Sequence, residues 1–140
     1  MRFSLRTALI LSSLPAVSSA ALEAQDAKAI LGVWKGTSIC VNRQATPACR
    51  DEEVVYEFRE TSPPAAGKLT LKADKVVKSE ALPMGVLDFV WDPKAGTWSC
   101  EIQTRWHGLW SFPPPKDGEL TGTLVLLPDK TIVRKATVRR

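Results

Sequence analysis

The stretch Leu31-Gly32-Val33-Trp34-Lys35-Gly36-Thr37-Ser38-Ile39-Cys40 is where the periodicity of the chain changes. Upstream, Ala27, Ile30 and Leu31 recur at helical spacing, which predicts a short helix over Ala24 to Leu31. A helix that short persists only if it packs against something. Gly32 supplies its stop. From Val33 onward the period is two, so Trp34, Gly36, Ser38 and Cys40 share one face of a predicted strand.

Downstream the same alternation recurs. Val54, Tyr56 and Phe58 share a face within Glu52 to Glu60, with Glu53, Glu57 and Arg59 opposite. Pro63-Pro64-Ala65-Ala66-Gly67 breaks the chain, and Lys68 to Asp74 then turns Leu69, Leu71 and Ala73 one way. Val76-Val77 is a candidate extension of that strand, and Pro83 is read as ending the connection. Val86 to Asp92 aligns Leu87, Phe89 and Trp91; Asp92-Pro93-Lys94-Ala95-Gly96 is a hairpin loop, with proline to set φ and glycine to accept a positive one. Thr97 to Thr104 aligns Trp98, Cys100 and Ile102, and Arg105 to Phe112 aligns Trp106, Gly108, Trp110 and Phe112. After the stiff turn at 113–118, Glu119 to Leu127 carries Leu120, Gly122, Leu124 and Leu126 on one side. Thr131 to Arg139 does the same with Ile132, Arg134, Ala136 and Val138. The fold class is all-β: about eight short strands joined by tight turns, a meander that removes its edges by closing into an antiparallel up-and-down barrel. A two-sheet β-sandwich fits the same alternation.

The first twenty residues read differently. Arg2 and Arg6 precede a short apolar run, Ala8 to Leu11 with Leu14 and Val17, and Ser18-Ser19-Ala20 offers a small-residue cleavage site. That order is the signature of a secretory signal peptide, and the run is too short to span a bilayer. The expected product is a single domain over 21–140, secreted or periplasmic, with no membrane span. Removing residues 1–20 leaves 120, and 19 Lys and Arg become 17 against 15 Asp and Glu, a net +2. No basic block is interleaved with aromatic residues, which argues against nucleic acid as a partner.

Three cysteines remain: Cys40, Cys49 and Cys100. In an oxidising compartment a bridge is expected, and Cys40 with Cys49 would close the polar turn between them. Cys100 is then a buried free thiol.

A short helix, Gly32-Val33-Trp34 at the start of the first strand, an up-and-down set of strands and an inward Arg134 on the last one together resemble the calycin superfamily of lipocalin-like barrels. In that superfamily the tryptophan plugs the closed end and an arginine of the final strand packs over it. The resemblance implies structural roles for Trp34 and Arg134, and a guanidinium over an indole gains a cation–π contact. The segment from Trp34 through Cys40 and on from Cys49 to Tyr56 is also similar to small exported bacterial proteins of unassigned role.

Few residues suggest chemistry. His107, the single histidine, is placed outward and has no partners for a metal site. Alternation sends Cys100 inward, so the two do not form a nucleophile pair. Asp51-Glu52-Glu53 reads as a solvated loop tip, and Asp88 and Glu101 as surface charge. No enzyme constellation results, and no motif asks for a cofactor. The five tryptophans carry more weight: Trp34, Trp91, Trp98, Trp106 and Trp110 all fall on the inward face, with Tyr56, Phe58, Phe89 and Phe112. Such a set either fills a small barrel or walls a ligand cavity. The expected function is binding of a small apolar or aromatic molecule inside the barrel, with Tyr56, Phe58, Phe89, Trp91, Trp98, Trp106 and Trp110 as candidate contacts. The alternative is a module that binds another exported protein, such as a protease or lysozyme inhibitor, through loops 42–50 and 113–118 and segment 21–31.

Overall fold

The computed structural model describes residues 14–16 and 27–140. The expected signal peptide, apart from 14–16, and residues 24–26 of the expected helix lie outside the described residues. Residues 27–30 are helical, and Ile30 is fully buried.

Eight strands follow: β1 (Gly32–Cys40), β2 (Glu52–Glu60), β3 (Lys68–Val77), β4 (Glu80–Asp92), β5 (Thr97–Gln103), β6 (His107–Phe112), β7 (Glu119–Leu126) and β8 (Thr131–Arg139). Each pairs antiparallel with the next, and β1 pairs with β8, so the sheet closes into an up-and-down barrel in sequence order. This is the expected architecture, and closure rules out the sandwich. Alternation supplies the inside: Val54, Tyr56 and Phe58 of β2 and Leu69, Leu71 and Ala73 of β3 are all buried.

Three strands depart from the alternation. β4 begins at Glu80 rather than Val86, because Lys78 and Ser79 take positive φ (50° and 66°) and turn the chain directly back on β3. Pro83 does not end the connection; it sits in the ladder opposite Asp74, beside a register shift that leaves Met84 unpaired. The outer part of this hairpin stands in solvent, with Leu82, Met84 and Val86 exposed. Residues 104–106 form a bend, so β6 starts only at His107. In β8 the ladder slips between Arg134 and Ile132, which pair with Leu124 and Val125. The bulged Val133 is buried in place of Ile132, which is exposed.

The seams are unequal. β3 and β4 pair over their whole length, whereas β4 and β5 share only Val90↔Ser99, Trp91↔Trp98 and Asp92↔Thr97.

One end of the barrel is closed by Trp34, whose indole Nε1–H donates to the Ile30 carbonyl at 2.8 Å. The guanidinium above it is Arg140, 4.3 Å from the ring centroid, and not the expected Arg134. Register is the cause: Lys35 lies opposite Arg139 and Cys40 opposite Arg134, which sets Arg134 most of a strand length from Trp34. Above the plug, Phe58, Phe89, Trp98 and Leu120 fill the interior. Phe112 is the hub of this layer. It meets Tyr56, Phe58 and Phe89 edge-on, with centroids 5.4–6.1 Å apart, and stacks on Trp110 at 5.6 Å. Gly122 makes room for it: a Cβ there would stand 2.3 Å from the Phe112 ring.

Candidate functional site

Beyond the aromatic layer the interior is open. A cavity of about 240 Å³ lies there, and every strand contributes to its wall: Ser38, Tyr56, Leu71, Leu87, Ile102, Trp110, Leu124 and Arg134, in strand order. The alternative between packed core and cavity is therefore resolved by height. The barrel is solid at the Trp34 end and hollow at the other.

The seven aromatic candidates divide accordingly. Tyr56, Trp106 and Trp110 line the cavity. Phe58, Phe89 and Trp98 are buried in the solid half, and Trp91 packs on Trp98 with centroids 5.3 Å apart. They share a face with the cavity residues but stand too near the closed end to reach it. Trp106 was expected inside, yet it is 44% exposed. The bend at 104–106 carries it to the rim, where its indole rests over Gly108, at a spot a Cβ would occupy. A second chamber of about 500 Å³ lies beyond it, under the disulfide loop, and shares Trp106, Leu124 and Arg134 with the first.

Arg134 organises the rim. Its Nη1 donates to the carbonyl and hydroxyl of Ser38, both at 3.0 Å. Its Nη2 donates to the Arg50 carbonyl at 2.7 Å and to Cys49 Sγ at 3.0 Å. Glu52 Oε2 stands 3.5 Å from Nη1. The expected Cys40–Cys49 bridge is present. Arg134 thus ties the disulfide loop to the barrel mouth and has no part in the plug. The acidic run is not a free loop tip either. Asp51 accepts from the Cys40 amide at 2.8 Å and pairs with Arg43, and Glu52 turns inward. Its even spacing with Val54 and Tyr56 was the signal in the sequence that places it there.

Burial pushes the Tyr56 phenol above its ordinary value, against the pull of Ser38 and Arg134. Burial likewise pushes the Cys100 thiol up, and the charge of Asp88 adds to it. Cys100 is a free, buried cysteine. His107 lies on the outer side against Glu101, away from Cys100. Among the described residues no group of three or more His, Cys, Asp or Glu could hold a metal, and no helix is long and apolar enough to cross a membrane.

The chain matches no protein-family model, and no curated protein is significantly similar to it in sequence.

Proposed function

We propose that this protein is an exported barrel of calycin type that binds a small apolar or aromatic molecule in the hollow half of its interior. The observation that carries the reading is the cavity of about 240 Å³ above the Phe112 layer, walled by side chains from all eight strands. It exceeds the ~150 Å³ that holds a benzene ring in an engineered apolar cavity, so one or two fused rings fit. Trp110, stacked on Phe112, offers a flat indole to such a ring. The disulfide and the leader-like residues 1–20 support export.

The test is titration with naphthalene, followed by amide chemical shifts. Saturable shifts at Leu71, Leu87, Ile102 and Trp110 are expected, and they should vanish in Ala73→Phe, which fills the cavity from its wall. Binding that survives in a folded Ala73→Phe protein, or no shift in the parent, would refute the reading.

A second reading keeps the disulfide loop as a contact surface for another exported protein. Its support is preorganisation: Arg43 donates to the Cys49 carbonyl at 2.8 Å and Asn42 Oδ1 accepts from Ala45 at 3.0 Å. A loop already held in one shape loses little freedom on binding.

A further inference from the structure

The proposed interior site has two unlike walls. Leu71, Leu87, Ile102 and Trp110 make one of them apolar. Across from these, β1, β2 and β8 supply Ser38, Glu52, Tyr56 and Arg134. What matters is which of those polar groups still has bonding capacity.

Arg134 has little. Both terminal nitrogens are directed into the protein, to the Ser38 carbonyl and hydroxyl, the Arg50 carbonyl and Cys49 Sγ. The Ser38 hydroxyl oxygen is already an acceptor in that set. Glu52 is the opposite case. Its contact with Arg134 is an ion pair at 3.5 Å, and its carboxylate accepts no hydrogen bond from any other described residue. The side chain is 26% exposed and lines the cavity. An ionised carboxylate offers about four lone-pair sites, against which the wall sets only the hydroxyl protons of Ser38 and Tyr56, so acceptors are in excess.

A ligand that displaces water from this wall must replace the donors that water supplied, because a carboxylate desolvated without them is strongly unfavourable. A carboxylate or sulfonate head brings only more acceptors and faces Glu52 across a guanidinium whose terminal protons are taken. A bare hydrocarbon binds by the apolar wall alone and leaves the carboxylate its water. A protonated amine brings three donors and the complementary charge, and charge-assisted hydrogen bonds are about twice as strong as neutral ones. Its positive charge also suits the indole of Trp106 at the rim of the same site.

Resting on the reading that the cavity takes a ligand at all, we propose that its ligand is an aromatic amine. The ring lies against Trp110 and Leu87, and the ammonium group is held by Glu52 beside the Tyr56 hydroxyl. Selectivity for the charge of the head then resides in Glu52, and selectivity for the ring in the apolar wall.

Isothermal titration calorimetry with 1-naphthylmethylamine, 1-naphthylmethanol and 1-naphthoate tests this on the intact protein, since the three share a ring and differ in the head. The amine is expected to bind at least ~10-fold tighter than the alcohol, with the acid weakest. Glu52→Gln should level amine and alcohol, because an amide still accepts a hydrogen bond but carries no charge. An acid or alcohol that binds as well as the amine, or an amine advantage that survives Glu52→Gln, overturns the assignment without touching the interior site itself. If none of the three binds, and naphthalene does not either, the interior site falls and the assignment falls with it. The comparison of the three heads needs no variant, so it stands even if Glu52→Gln does not fold.

Discussion

Replacing Trp34 with alanine tests the account of the closed end most directly. Trp34 is 1% exposed. A buried tryptophan hides roughly 200 Å², most of it lost with the indole, which at about 25 cal/mol per Å² amounts to ~4 kcal/mol. Direct Trp→Ala measurements in protein cores span about 3–5 kcal/mol. The substitution also orphans the Ile30 carbonyl that accepts from Nε1, adding ~1 kcal/mol. The expected loss is therefore about 5 kcal/mol, against a typical domain stability of ~5–15 kcal/mol. Trp34→Phe keeps most of the apolar area and loses the hydrogen bond, so it should fall by only ~1–2 kcal/mol. Urea titration followed by far-ultraviolet circular dichroism reads both without relying on the other four tryptophans. A Trp34→Ala protein within ~1 kcal/mol of the parent would show that the indole is not the plug.

Arg134→Ala should destabilise by about 2–3 kcal/mol in the same titration, less than the ~3–5 of a fully buried pair because 14% of the Arg134 side chain and 26% of Glu52 remain exposed. Arg140→Ala, which removes an exposed cation–π contact and a hydrogen bond to the Ala29 carbonyl, should cost about 1–2 kcal/mol; the reverse order would restore Arg134 to the plug. The raised Cys100 thiol means that the folded protein holds this proton more tightly than the unfolded chain does. Its contribution is complete below the ordinary thiol pKa and is lost as pH rises through the folded value, so urea midpoints should fall at alkaline pH more steeply in the parent than in Cys100→Ala. Equal slopes would refute this. Gly122→Ala drives a methyl into the Phe112 ring and should destabilise by ~1–3 kcal/mol, read by thermal melting; an unchanged melting temperature would mean that Phe112 is free to move aside.

The barrel was legible where alternation was clean. In β2 and β3 every expected inward residue is buried, because one face meets the core and the other meets water. Local backbone events escaped detection. Lys78-Ser79 makes a tight left-handed turn without the Asn-Gly or Asp-Gly that announces one, so the start of β4 was missed. The β8 bulge exchanges Ile132 for Val133, and nothing in the local sequence marks it. The site was legible by face but not by height. Phe58 and Trp110 point the same way, yet only the second reaches the cavity. Height depends on the register between β1 and β8, a contact between opposite ends of the chain, and the same register decides that Arg140 rather than Arg134 covers Trp34. The polar wall was overlooked for another reason: Glu52 sits in an acidic triplet that reads as solvated, although its spacing with Tyr56 sets it inside.

The ladder between β4 and β5 stops at Val90, and above it the two strands flank the cavity wall at Met84, Leu87 and Ile102 with no pairing between them. Such a cylinder loosens along one staple line before the rest of its hoops give way. For a ligand of the kind proposed, traffic would then depend on the mechanics of that wall as well as on the width of the mouth. Affinity would be set by the cavity lining and residence time by the seam, so changes along β4 and β5 can alter how long a molecule stays without altering how tightly it is held.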